Sequence, residues 1–176
     1  MTVNIKKSQV RLGLGWDKRR DGGLDFDLDA MVFLVDGNGR LDNQHRIAYE
    51  RQPQGLAPLP VLIYNDNTSG EGEGDNEVVD IDLARLPSHI IKVVIACAIN
   101  QAEKREQSLG QVAGLFMRLM TLPDKTEITR YEKPLSPIRG TALVMGELLR
   151  SEDGWTYIPK SSYHEGGFDE IMSRWH

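Results

Sequence analysis

Short apolar runs recur along this chain at intervals of roughly ten residues, and each is bounded by glycine, proline or Asp/Asn pairs. That rhythm is too short for helices and suits strands of 4–8 residues joined by turns. VRLGLGW (10–16) and VVDIDL (78–83) alternate apolar with small or polar residues, the mark of a strand with one face covered. MVFLV (31–35) and IIKVVIACAI (90–99) are continuous apolar runs, the second dominated by β-branched residues, as expected of buried strands, and VLIY (61–64) reads as a strand leading into the acidic stretch. DGNG (36–39) predicts a turn and a hairpin running into Arg46–Glu50, the stretch 52–60 reads as a loop, and LPSH (86–89) as a turn. LFMRLM (115–120), EITRYEK (127–133) and ALVMGELLR (142–150) read as further strands, with a helix as the alternative for the first and third. QAEKREQSLG (101–110) is helix-prone, DGW (153–155) makes a turn before TYIP, and FDEIMSRW (168–175) fits a short terminal amphipathic helix. The pattern predicts an all-β chain dominated by a two-sheet β-sandwich with a few short helices. With 176 residues, no repeat and no linker-like stretch, residues 1–176 are expected to form one domain.

No apolar run approaches the roughly 20 residues of a bilayer span, and the N-terminus lacks a signal-like apolar segment. The lone cysteine, Cys97, cannot form an internal disulfide and sits in an apolar strand, so a buried inert thiol in a cytoplasmic protein is expected. A formal charge of −5 without a basic patch argues against nucleic acid as the partner. That charge is unevenly placed: residues 15–82 hold 15 acids and 6 bases, whereas residues 83–176 hold 11 acids and 12 bases. Between Asp66 and Asp82 there are seven acids and no Lys or Arg.

Two acidic segments therefore carry the functional signal. In LDFDLDA (24–30), Asp25, Asp27 and Asp29 would share one strand face, about 7 Å apart at a rise near 3.3 Å per residue. Asp is disfavoured in strands and like charges on one face repel, a local penalty that a divalent cation would offset. NDNTSGEGEGDNE (65–77) interleaves glycines with acids and amides, so its carbonyls and carboxylates can fold toward one point. Calcium takes six to eight such oxygens in a flexible shell. A solvated acidic loop beside a polar strand face is the competing interpretation. The EF-hand pattern is not met: from Asp66, the third, fifth and sixth positions are Thr68, Gly70 and Glu71.

These segments resemble signatures of the TerD-like family of bacterial tellurium-resistance and general-stress proteins. GLGWD (13–17) and FDLDA (26–30) look like its N-terminal signature, and NDNTSGEGEGDNE is similar to its NDNxTGEGDGDDE motif. Weaker echoes are REQSLGQV (105–112), GELLR (146–150) and Gly166–Gly167 before the terminal helix. The resemblance spans the chain from about residue 10 and implies a non-enzymatic, calcium-binding β-sandwich acting in stress and tellurite tolerance. Its acidic signatures fall on Asp25, Asp27 and Asp29, and on Asp66, Asn67, Glu71, Asp75, Asn76 and Glu77, with Gly70 and Gly72 as further carbonyl donors. Departures are Glu73 and Asn76 where Asp is usual, Ser69 for Thr, Met31 for a small polar residue and the apolar VLIY approach. The implied partners are calcium ions and other proteins of a stress or tellurium-resistance complex, with membrane association as a further possibility.

A calcium-dependent adaptor, docking a partner protein or an anionic membrane, shares this metal site and would need an apolar or basic rim beside it. A small carboxylate-dependent hydrolase is the weaker alternative, because the chain is short and aromatics are sparse. His45, His89, His164 and His176 show no zinc spacing and are expected in loops or at the surface. Trp16, Trp155 and Trp175 are expected as core or edge anchors. No residue is an evident tellurite ligand, since soft-ligand chemistry calls for more than one cysteine.

Overall fold

Two antiparallel sheets face one another across a shared apolar core in a computed structural model, which describes residues 2–42, 47–48 and 60–175. The strands in chain order are β1 (Val3–Ile5), β2 (Gln9–Gly15), β3 (Leu28–Asp36), β4 (Ile47–Ala48), β5 (Val61–Tyr64), β6 (Glu77–Asp82), β7 (Ile90–Ile99), β8 (Phe116–Thr121), β9 (Glu127–Glu132), β10 (Ala142–Ser151) and β11 (Gly154–His164). Sheet A runs β1-β11-β10-β7-β3-β4 and sheet B runs β5-β6-β2-β8-β9. Helix α1 (Gly167–Met172) and a three-residue 3-10 turn at Leu109–Gln111 complete the regular structure of the described residues.

The alternating runs are the strands of sheet B. Val10, Leu12 and Leu14 of β2, Val79 and Ile81 of β6, and Met117 and Leu119 of β8 point into the core, each almost inaccessible to solvent. Their neighbours Arg11 and Asp80 face outward and pair through two hydrogen bonds of 2.6 and 2.7 Å. Truncating one of the buried leucines to alanine would cost about 2–5 kcal/mol.

The continuous runs have a different cause. β3 and β7 lie in the middle of sheet A, and both faces are covered. Leu28, Ala30, Val32 and Leu34 of β3, with Val93, Ile95, Cys97 and Ile99 of β7, enter the core between the sheets. Met31, Phe33 and Val35, with Val94, Ala96 and Ala98, form a second cluster on the outer face, capped by Ile171, Phe168 and Met172 of α1 and by Trp175. The terminal helix thus explains why these strands carry no polar alternation. Cys97 is fully buried, and Trp16 and Trp155 are buried in the core.

ALVMGELLR and LFMRLM are strands β10 and β8, as read, and not the alternative helices; β10 is interrupted by a register shift between Val144 and Gly146 that disturbs its alternation. Other expectations need correction. The helix-prone stretch 101–110 forms turns and the entry to the 3-10 segment, because Gln107 and Arg105 are drawn to the approach to β3. β1 went unread, and β11 starts at Gly154 and runs far beyond TYIP. His164 is buried at the end of β11 rather than exposed, where its Nδ1 contacts Glu170 at 3.0 Å. The expected hairpin after DGNG reaches β4, paired with β3 at Met31 and Val32; the rest of its partner strand, most of the loop at 52–60, and His45 and His176 lie outside the described residues.

Candidate metal centre

Both acidic segments meet at one end of the sandwich, and Trp16 ties them together. Leaving β2, its backbone N–H donates to Asn76 Oδ1 at 2.8 Å and its indole N–H donates to the Phe26 carbonyl at 3.1 Å. Gly13 makes room for the acidic loop on sheet B: a Cβ there would lie 2.4 Å from the Asp75 carboxylate. Gly70 has φ +74° and its missing Cβ would meet the Trp16 ring at 2.5 Å, so both the turn and the close approach require glycine.

The segment LDFDLDA is only half strand. β3 begins at Leu28, and residues 24–27 form an irregular approach, held by Gln107 Nε2 donating to the carbonyls of Leu24 (2.9 Å) and Asp25 (3.2 Å). This breaks the expected common face. Asp27 and Asp29 converge with Asp66 from the acidic loop, with one carboxylate oxygen of each within 4.8 Å of the others. Asp25 lies outside that cluster and acts electrostatically on Arg19.

Behind the cluster, the first residue of β6 contributes Glu77, 4% exposed, whose Oε2 accepts the Ala30 N–H at 2.6 Å. Burial is the main force on these groups and the neighbouring anions add to it. Glu77 is pushed up to about 9, by burial first and then by the charges of Asp29, Asp66 and Asp27, against the Ala30 hydrogen bond. Asp29 is pushed up to about 8 by burial, then by Asp27 and Asp66, with Arg105 opposing. Positive compensation is thin. Asp27 Oδ2 accepts Asn100 Nδ2 at 3.0 Å and has Arg105 Nη2 at 3.5 Å. The pocket therefore gathers four carboxyl groups, and burial with mutual repulsion opposes ionisation of Asp29 and Glu77.

The rest of the acidic loop is otherwise engaged. Asn67 Oδ1 accepts the backbone N–H groups of Ser69 and Gly70 at 3.1 and 2.8 Å, and its Nδ2 donates to the Glu71 carbonyl at 2.8 Å. Asn76 Nδ2 donates to the same carbonyl at 3.4 Å. The Glu71 carboxylate meets Lys18 at 3.3 Å in solvent. Asp75 turns onto sheet B, where Arg118 donates to both its oxygens at 2.8 and 2.9 Å. Gly72, with φ +112°, is exposed at the turn. Among the expected donors, the structure thus brings together Asp27, Asp29 and Asp66 with Glu77, and places Asn67, Glu71, Asp75 and Asn76 in loop and sheet contacts.

Sequence reading missed the 100–107 supports, Asn100, Arg105 and Gln107. Arg105 and Gln107 fall in the REQSLGQV echo, Asn100 has no such signal, and nothing in local spacing links them to Asp27, 73 positions from Asn100. The Gln107 Oε1 is buried without a hydrogen-bond partner among the described residues. The clustered donors are hard carboxylate oxygens, from a buried Asp27, a half-buried Asp29 and an exposed Asp66, which fits a hard divalent cation better than a soft metal.

With this geometry in view, the relatives are informative. The family model described as "TerD domain" matches residues 2–175. The chain is 34% identical over 166 residues to "Tellurium resistance protein TerD" of Serratia marcescens, spanning 94% of this chain and 86% of that one. It is 36% identical over 172 residues to "General stress protein 16U" of Bacillus subtilis (strain 168), spanning 97% and 89%. A crystal structure of a homologue of telluride resistance protein (TerD) from Streptomyces coelicolor A3(2) superposes with a TM-score of 0.75 at 16% identity, over 94% of this chain and 95% of that one, a likeness of fold.

Proposed function

Because the chain belongs to the TerD family of tellurium-resistance and stress proteins, we propose that it is a non-enzymatic calcium-binding stress protein. Its ion sits among Asp27, Asp29 and Asp66, with Glu77 behind them. One observation carries the reading: one oxygen from each of three carboxylates lies within 4.8 Å of the others over a buried fourth, and the one base paired with them among the described residues is Arg105, 3.5 Å from Asp27. Bound calcium would supply the positive charge that lets all four ionise. Asn100 and Arg105 orient Asp27, while Trp16 fixes the two segments that bring the carboxylates together. The protein acts in the cytoplasm within a stress or tellurite-tolerance complex, consistent with the relatives' names and with the lack, among the described residues, of any helix long and apolar enough to cross a membrane.

A second reading has an observation of its own. Leu24, 67% exposed, stands three residues before Asp27, and Lys18 lies on the same connection between β2 and β3. An exposed apolar side chain so close in sequence to Asp27 favours calcium-dependent docking onto a partner protein or an anionic membrane.

Thermal unfolding of chelator-stripped protein tests the metal site, with calcium added and magnesium as the control. A ligand specific for the native state adds about 2.7 kcal/mol at a hundredfold excess over Kd, which is about 5–10 °C for a chain of this size. Calcium is expected to produce a shift of that order and magnesium much less. No shift with either ion would sink the metal reading.

A further inference from the structure

A cavity of about 630 Å3 opens at the same end of the sandwich, between the ends of β3 and β7 and the segment entering α1. Its floor is apolar, formed by Met31, Ala98 and Phe168. Its rim is acidic: the exposed Glu103, Glu165 and Asp169 line it together with one base among the described residues, Lys104. No ion pair engages these three carboxylates among the described residues. Asp29 also lines this cavity, so the pocket and the carboxylate cluster share a wall.

We propose that this cavity binds an aliphatic amine of the diamine or polyamine class, with its methylenes on the Met31–Ala98–Phe168 floor and its ammonium groups on the acidic rim. The volume lies within the range of small-molecule sites. The charge balance favours a cation: the rim repels an anion, and a neutral apolar molecule gains nothing from it. An alkyl ammonium matches both surfaces, a hydrocarbon stem along the apolar strip and a charged head kept at the mouth. Because Asp29 faces both sites, the amine and calcium antagonise one another, and each weakens the other by the same factor. That coupling rests on the calcium reading above; the amine pocket itself does not.

Isothermal titration of the full chain tests this, with spermidine as the probe at physiological salt after removal of metal. One equivalent is expected to bind saturably. Glu165→Gln/Asp169→Asn should weaken it about tenfold, the combined worth of two partly exposed ion pairs. Glu152→Gln, exposed in the turn between β10 and β11 at the far end of those strands, should leave it unchanged. All three sites are exposed, and Glu103→Gln provides an independent rim variant. Failure to saturate, or several equivalents undiminished by the rim changes, would overturn the pocket in favour of diffuse attraction to an acidic surface. Repeating the titration in calcium separates the two ideas. Spermidine binding without any calcium binding sustains the pocket and removes the metal reading, while calcium binding without spermidine does the reverse. Independent binding of both would overturn the shared role of Asp29.

Discussion

Asp66 and Asp75 belong to one acidic loop, nine positions apart, yet the fold treats them in opposite ways. Asp75 lies against sheet B and receives both donors of Arg118, whose own strand, β8, holds the guanidinium in register. Asp66 turns the other way, to the mouth of the sandwich, and meets Asp27 and Asp29. One carboxylate is neutralised within the protein; the other adds to a cluster that the protein leaves under-compensated. Acidic character alone therefore does not mark a ligand: what matters is whether the fold supplies a base.

The largest expected effect falls on the uncompensated side. Asp27→Asn or Asp29→Asn should lower calcium affinity on the order of 100-fold, beyond what loss of an orienting partner produces, as read by calcium titration. Asp29→Asn should also stabilise the metal-free protein, because it removes one charge from a crowded group. Unchanged calcium affinity in both variants would move the ion elsewhere.

The pH response should separate the two halves of the comparison. Asp29 and Glu77 have folded-state values raised to about 8 and about 9, above their unfolded ones, so the native chain binds more protons than the unfolded chain between roughly pH 4 and 9. Metal-free protein should therefore lose stability as pH rises through that window. Asp21 and Asp124, held below the usual carboxylate range by hydrogen bonds, titrate beneath it and do not reverse the trend. With saturating calcium the dependence should invert, since protons then compete with the ion. Melting curves at pH 5.5 and 8.5, with chelator and with calcium, read this directly; parallel curves would count against the cluster as the binding site.

On the compensated side, Asp75→Asn or Arg118→Ala should cost about 1–3 kcal/mol of stability, the scale for hydrogen bonds to charged groups. Denaturant titration measures that loss, and the calcium-induced rise in melting temperature should survive it. A loss of the calcium response in Asp75→Asn would place this residue at the ion after all. The smallest effect belongs to Lys18→Ala. Its pair with Glu71 is solvent-exposed, and within about 0.5 kcal/mol the same melting experiment should show no change.

Much of the scaffold was legible because sheet packing imposes a local period. Val10, Leu12 and Leu14 announce a half-covered strand, and the unbroken IIKVVIACAI announces one covered on both sides, although the cover itself, α1, became visible as such only in three dimensions. β10 was ambiguous because its register shift at Val144–Gly146 disturbs the period on which the reading depends. Stretch 101–110 misled because helix propensity is a weak local preference, overridden where Gln107 and Arg105 are drawn to the approach to β3.

For the site, local sequence carries the chemistry: an excess of carboxylates in two short segments, glycines such as Gly70 that allow one of them to turn tightly, and a single cysteine where a soft thiolate site would need several. Tertiary structure alone decided the membership. It set Asp25 apart from Asp27 by starting β3 at Leu28, gave Asp75 to Arg118, put Glu77 beneath the cluster, and brought Asn100 and Arg105 to Asp27. The physical reason is range. Composition and period act between neighbours along the chain, whereas charge compensation acts through space over a few ångströms, between residues that only the closing of two sheets brings together.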